Sequence, residues 1–396
     1  MPLTETLDTE GLVAFTQRLI QAPSVNQPEL GRSEASAVAV VVAQADEWGW
    51  EVLQEEVAPG RPNVIIRIDG GLPGKTLLFE GHTDVVTEGD PATWSVDPFG
   101  GEIIDGKLYG RGAADMKSGV GALMFATRAL QLGGPFPGSI VLAILCDEEE
   151  MMIGVHHFVE QGHADGVDAA IVCEPEGGEV CVTQKGALRL RVDITGVMAH
   201  GAMPHQGRNP ISAAGRFLAA AREIEADLQA THGKHHQLGL PYLTPTHVDA
   251  GSLAQINVIP AAALLTFDNR TIPGIDHIDL LARFRAAADE IEADLGVQIT
   301  LSTPVDRPAT ETAVDDPVVE AVAAAHTAVT GEEPIYGGVP GSTDGTILWR
   351  DAGLPVVVYG PGGKWIAHQK DEYVELDDLI TNAKVYIEAA TRFFNS

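Results

Sequence analysis

Three apolar runs in this chain end in side chains that bind metals or move protons. Ser139-Ile-Val-Leu-Ala-Ile-Leu145 runs into Cys146-Asp147-Glu148-Glu149-Glu150, and Thr76-Leu-Leu-Phe79 runs into Glu80-Gly-His82-Thr-Asp84. Asp168-Ala-Ala-Ile-Val-Cys173 runs into Glu174-Pro175-Glu176. Each run reads as a buried strand. Carboxylates crowded at the mouth of a core strand repel one another and are costly to desolvate, and the strands supply no cation. Three strands delivering His, Asp and Glu to their carboxyl ends point to a metal site with more than one ion. His82 and Asp84 are two residues apart, so both face one side. A ligating histidine gives its other ring proton to a carboxylate or carbonyl, which suits Asp84. The alternative is a turn Asp beside a surface His.

Gly110-Arg-Gly-Ala-Ala-Asp115-Met-Lys-Ser-Gly119 lies between a short strand and a helix. It mimics a dinucleotide fingerprint, but Asp115 stands where the third glycine belongs and would repel a pyrophosphate. Glycine-rich flanks instead let the backbone hold one Asp in a tight loop. Its two oxygens can bridge two cations; the alternative role is a helix N-cap.

Taken in order along the whole chain, five motifs resemble the superfamily of acetylornithine deacetylase, succinyl-diaminopimelate desuccinylase and carboxypeptidase G. They are Gly81-His-Thr-Asp-Val-Val86, Gly110-Arg-Gly-Ala-Ala-Asp-Met-Lys117, Asp147-Glu-Glu149, Glu174-Pro175 and the late His368. Members of that superfamily are dinuclear zinc hydrolases related to aminoacylase-1. The resemblance implies that Asp115 bridges two metals, one completed by His82 and Glu174 and the other by Glu149 and His368. It makes Glu148 the general base and leaves Asp147 and Glu150 solvated or capping the next turn. It also implies a cis peptide bond after Asp115. The implied cofactor is two Zn²⁺ per subunit, with Co²⁺ or Mn²⁺ as substitutes. Two ions roughly 3.5–4 Å apart can share a water and lower its pKa from ~15.7 towards ~7. The bridging hydroxide would attack an amide carbonyl while Glu148 takes the proton and passes it to the leaving nitrogen.

Further along, the resemblance gives His200 the oxyanion of a partner's site across a homodimer. It gives Asn257 and Arg270 the substrate's carboxylate, which the planar guanidinium fork suits. An ordinary loop histidine and a structural ion pair are the alternatives for His200 and Arg270. Gly341, Ser342 and Thr343 precede a helix whose amides could receive an anion, or they simply cap it. The implied activity is removal of an acyl group from a small N-acyl amino acid. A dipeptidase or carboxypeptidase acting on a short peptide is the alternative, and an inactive metal-binding relative is a third reading. Glu148 stands beside all five ligand positions, which argues against the third.

These residues must be assembled by an α/β scaffold. Helices are expected over residues 9–21, 33–48, 118–132 and 154–161, and strands over 51–57, 63–68, 76–79, 139–145 and 169–173. A hairpin at 103–109 is turned by Asp105-Gly106. Alternating helices and continuous apolar strands predict an α/β sheet buried on both faces, and the resemblance implies a mixed sheet of the zinc-exopeptidase-like plan. After Val180 the texture changes: Leu188, Leu190, Val192 and Ile194 alternate with polar residues. A helix at 210–229, strands at 246–250 and 263–269, a helix at 278–295 and a strand at 297–301 follow. That βαββαβ order is ferredoxin-like. A helix at 317–329, a loop at 337–344, a strand at 355–358 and a helix at 376–393 close the chain. Residues 1–184 and 297–396 are expected to form the catalytic domain, and 185–296 an inserted dimerisation or lid domain.

Composition narrows the partners. With 25 basic and 56 acidic residues the formal charge is −31, which argues against nucleic acid or an anionic membrane. The acidic first residues carry no secretory pattern, and no run reaches the ~18 apolar residues of a membrane span. Three cysteines in strand-like sequence read as reduced core thiols of a cytoplasmic protein.

Overall fold

The three apolar runs are strands Gly71–His82, Phe136–Leu145 and Ala169–Val172, and they lie side by side in parallel. Leu77 to Phe79, Ile140 to Leu145 and Ala169 to Val172 are buried without interruption, the pattern of a sheet covered on both faces. Parallel neighbours need crossovers, which helices Lys117–Leu132 and Ile153–Glu160 provide. Because the strands are parallel, His82, the acidic run after Leu145 and Glu174 all emerge at one edge of the sheet.

The computed structural model describes residues 3–27 and 30–396. Across the large sheet the strands run Val52–Ala58, Arg61–Asp69, Phe136–Leu145, Gly71–His82, Ala169–Val172, Val356–Val358, Val180–Gln184 and Thr310–Glu311, with Tyr336–Val339 also on Val180–Gln184. The sheet is mixed: Arg61–Asp69 runs antiparallel to Phe136–Leu145, and Val356–Val358 parallel to Ala169–Val172. The strand Tyr336–Val339 falls where a loop was expected, since its central Gly337-Gly338 has little strand propensity of its own. Helices Thr9–Ile20, Lys117–Leu132, Pro317–Thr330 and Leu376–Phe394 build the adjoining core, with Phe15 on Phe125 at 5.7 Å and Phe79 on Tyr386 at 5.3 Å between ring centres. Asp105 and Gly106 both take positive φ, 50° and 77°, as the tight hairpin turn requires.

The chain divides into two compact units. The larger comprises Met1–Val182, Glu311–Gly338 and Thr343–Ser396, and the smaller Thr183–Thr310 with Val339–Ser342. In the smaller unit an antiparallel sheet runs Tyr242–Ala250, Ala262–Thr271, Gly186–Thr195, Gln298–Arg307, accompanied by helices Pro210–His232 and His277–Leu295. Leu188, Leu190, Val192 and Ile194 point into its core with Phe217, Phe267 and Phe284. The expected boundary at 296 is corrected here. Gln298–Arg307 pairs along Gly186–Thr195, so a cut at 296 would strip one side of that strand of its hydrogen bonds.

Candidate metal centre

Asp115 sits at the middle of the sheet edge, held by its own loop. Helix Lys117–Leu132 begins two residues later, and its Gly119 lies so close to the strand bearing Glu174 that a Cβ there would meet the Cys173 carbonyl at 2.2 Å. The Asp115–Met116 bond is cis. The two Asp115 oxygens face different histidines: Oδ1 lies 3.3 Å from His82 Nε2, and Oδ2 lies 3.1 Å from His368 Nε2. His82 Nε2 is also 3.3 Å from Glu174 Oε1, and His368 Nε2 is 3.1 Å from Glu149 Oε2. Two three-residue groups result, His82–Asp115–Glu174 and Asp115–Glu149–His368, each offering ligand atoms within 4.8 Å of one another. They share Asp115.

Asp84 organises both sides of this centre. His82 Nδ1 lies 3.0 Å from the Asp84 carbonyl and 3.4 Å from Asp84 Oδ1. That engages the far ring nitrogen and leaves Nε2 aimed at the carboxylates. The Asp84 carboxylate also accepts the backbone N–H groups of Glu148 and Glu149, both at 3.1 Å. These bonds and the His82 ring overcome burial and hold Asp84 below the usual carboxylate range.

Of its two expected places, Asp147 takes the capping one and not the solvated one. It is buried rather than solvated, with a positive φ of 67°. Arg61 Nη2 pairs with its Oδ1 at 2.6 Å and with Glu34 Oε1 at 2.6 Å. Asp147 Oδ2 accepts the N–H groups of Met151 at 3.2 Å and Ile153 at 3.3 Å, so it does cap the following turn. The cation missing from the strand therefore arrives from a neighbouring one, and it serves Asp147 rather than the centre. Glu150 accepts from Asn26 at the surface, at 3.1 Å. Met152 is buried under the loop and Met151 is half exposed.

The electrostatics fit a site for multivalent cations. No Lys or Arg side chain pairs with Asp115, Glu148, Glu149 or Glu174 among the described residues. Burial, reinforced by Asp115, pushes Glu174 up to about 8. Burial with the Glu174 carboxylate also raises Glu148 well above the usual range. Hydrogen bonds to Asp115 and Glu149 raise His368 to about 11. The cluster thus draws protons onto its own ligand atoms, and divalent ions bound to the same atoms would displace them.

Two supports were invisible from motif spacing. Buried Glu372 accepts the backbone N–H of Ala114 at 2.9 Å and of Asp115 at 3.0 Å, and its other oxygen pairs with Arg111. Buried Lys117 donates to the carbonyls of Leu19 and Ala22, each at 2.8 Å, tying the Asp115 loop to the end of the first long helix. The only local signal for Glu372 was a carboxylate four residues past His368.

The remaining expected residues lie mostly in the smaller unit. Ala199–His200 pairs with Val258–Ile259, and the Gly201 N–H reaches the Asn257 carbonyl at 2.7 Å, so His200 and Asn257 lie on adjoining segments. His200 is exposed, its Nδ1 accepting the Ala202 N–H at 3.0 Å. Arg270 is half-buried and donates through Nε to Asp268 at 3.1 Å. Gly341 and Ser342 belong to the smaller unit and Thr343 to the larger. Thr343 Oγ1 accepts the Gly345 N–H at 3.1 Å, one residue before Asp344, the N-cap of helix Gly345–Asp351.

The sequence profile of peptidase family M20/M25/M40 matches residues 78–392. The chain belongs to this family. Its M20 relatives include a succinyl-diaminopimelate desuccinylase of Cereibacter sphaeroides, 33% identical over 96% of this chain and 98% of that one. Among solved M20 structures, a metallo-carboxypeptidase from Sulfolobus solfataricus superimposes with a TM-score of 0.78 at 18% identity, covering 98% of this chain and 99% of its own. A dinuclear metal-binding M20 peptidase from Bacillus subtilis gives 0.72 at 19% identity, covering 98% of each chain. M20 membership makes the chain a metal-dependent amide-bond hydrolase with an α/β fold. Among the described residues no helix is long and apolar enough to cross a membrane.

Proposed function

We propose that this hydrolase removes a succinyl group from an N-succinyl amino acid, diaminopimelate being the first amine to test. The observation that carries the site reading is the division of the two Asp115 oxygens between His82 and His368. Relatives named succinyl-diaminopimelate desuccinylase, spanning nearly the whole chain at 33% identity, support the choice of acyl group. Peptidases resemble the chain at 18–19% identity, which speaks for the fold and not for a peptide substrate.

In this reading His82, Asp115 and Glu174 hold one Zn²⁺, and Asp115, Glu149 and His368 hold a second. Nitrogen and oxygen donors of this kind suit zinc. When bound, the ions supply Lewis acidity towards the amide carbonyl and towards water. Glu148 takes the proton of the attacking water at its carboxylate and returns it to the leaving nitrogen. Its burial excludes bulk water from that transfer. Asp84 keeps His82 in one tautomer and fixes the backbone that carries Glu148 and Glu149. Arg270 and Asn257 bind the α-carboxylate, Gly341, Ser342 and Thr343 help seat the acyl chain, and His200 meets the oxyanion in a partner subunit's site.

A cytoplasmic homodimer joined through the smaller unit completes the proposal. Exposed Val248, Leu253 and Ile256 of that unit are consistent with such a contact, as are three free buried cysteines with a reducing compartment. Amine release from N-succinyl, N-acetyl and glutamyl-linked substrates by the zinc-loaded protein tests the assignment. Fastest release is expected from the N-succinyl compound. Preferred cleavage of a dipeptide would replace this reading with the peptidase one.

A further inference from the structure

Two ionic anchors bracket His368 at equal distance along the chain. Four residues before it, Lys364 Nζ reaches Glu176 Oε2 at 2.6 Å and Glu179 Oε2 at 2.7 Å. The same ammonium lies 3.2 Å from the Gly338 carbonyl and 3.4 Å from Cys181 Sγ. Four residues after His368, Glu372 binds the Ala114 and Asp115 amides and pairs with Arg111. Between the anchors Asp371 Oδ1 accepts the Ser95 N–H at 2.7 Å, and the stretch around His368 is formed of short turns closed by the Ile366 and Gln369 N–H groups. His368 has a positive φ of 65° and a side chain half exposed to solvent.

Each anchor fastens the His368 segment to a segment bearing another candidate ligand. Glu176 lies two residues beyond Glu174, in a turn whose Gly177 N–H also reaches the Gly362 carbonyl at 2.9 Å. Glu372 holds the peptide groups on which the Asp115 carboxylate is mounted. Glu372 and Arg111 form a buried ion pair, and Lys364, largely covered, joins buried Glu176 to partly exposed Glu179. An exposed histidine needs such fixing to meet carboxylates that the sheet places rigidly.

We propose that Lys364 and Glu372 are positioning residues, and that residues 361–372 form a clasp whose two ends set the geometry of the metal centre. This rests on the two-ion reading given above. The two ends act differently. Lys364 sets His368, and so acts on the ion held by Asp115, Glu149 and His368. Glu372 also sets Asp115, which both ions share. Losing supports of this kind costs ~10–100-fold in metal affinity.

Zinc titrations against a competing chelator, run on metal-stripped full-length protein together with unfolding midpoints, test the idea. Lys364→Met should weaken one of two bound zinc ions by ~10–100-fold and leave the other within about threefold. Lys364→Arg, which keeps the charge, should restore most of that loss. Glu372→Gln should weaken both ions by at least ~10-fold. Glu372→Asp carries the same test if the glutamine variant does not fold, since it keeps the Arg111 charge pair but withdraws from the two amides. Folded variants that bind both ions with wild-type affinity would overturn the clasp. So would affinity losses that merely follow a fall in the unfolding midpoint. Wild-type protein that fails to bind two ions would instead defeat the two-ion reading itself.

Discussion

Glu148→Gln removes a negative charge and a proton acceptor while leaving the shape of the side chain. The Glu148 backbone N–H is held by Asp84 Oδ1 at 3.1 Å, so the loop keeps its anchor without the carboxylate. The Glu148 carboxyl is buried near Glu174, and that burial raises it well above its ordinary range. Neutralising it relieves repulsion, and the unfolding midpoint should not fall. Proton transfer by a positioned side chain contributes about 10²–10⁴ in rate, or about 2.7–5.4 kcal/mol of barrier at about 1.36 kcal/mol per decade. The expected result is a kcat lower by at least ~100-fold, KM within a few-fold, and zinc content unchanged. Amine release from an N-succinyl substrate and elemental analysis of the same preparation read both quantities. Near-normal turnover would refute the proton-transfer role. Loss of one ion would show that Glu148, rather than Glu149, is the ligand.

Asp84→Asn leaves one acceptor oxygen for two amides and turns an NH₂ group towards one of them. Zinc affinity should fall by ~10–100-fold, measured by chelator competition, and an unchanged affinity would contradict the orienting role. Arg61→Met strands Glu34 and Asp147 as buried carboxylates. The larger unit should lose about 3–5 kcal/mol in denaturant unfolding, and a loss under about 1 kcal/mol would show that water reaches the pair. The pH dependence of metal binding follows from the protons that the metal-free centre carries. At pH 7 His368, raised to about 11 by its two carboxylate partners, is protonated, and Glu174, raised to about 8 by burial, is mostly so. His82 too is raised well above the imidazole range, its burial outweighed by Glu174 and Asp115. A ligating histidine must be neutral and a ligating glutamate ionised, so loading expels at least two protons and affinity rises with pH. Calorimetry in buffers of different ionisation enthalpy should show that release, and none would contradict the charge assignment.

His82, Asp115 and Glu174 stood out because each sits where a local pattern changes: an apolar strand stops, or a glycine-flanked loop meets a helix. Glu149, one of four consecutive acids, and His368, in an exposed loop, carried no such mark and came only from the resemblance. Parallel pairing then does the rest, since it carries the ends of Gly71–His82, Phe136–Leu145 and Ala169–Val172 to one edge. Arg61, Glu372 and Lys364 had no such mark. Arg61 follows a hairpin glycine, and its partners Glu34 and Asp147 lie 27 and 86 residues away. Glu372 reaches back 257 residues to the Asp115 amide. Ion pairs closed over such separations leave no periodicity, so Asp147 read as solvated or as a cap of the next turn, with no sign of its pairing to Arg61. The strand Tyr336–Val339 was hidden for another reason: its pairing with Val180–Gln184, not its glycine-rich sequence, makes it a strand.

The central claim is that two ions, sharing Asp115, make this chain an N-acyl amino acid hydrolase. It is tested most directly by following amine release from N-succinyl-diaminopimelate while zinc is titrated into chelator-stripped protein. Release should be absent without metal and should reach its plateau by two equivalents of zinc per chain. Undiminished release from the stripped protein, or two tightly bound ions with no release, would contradict it.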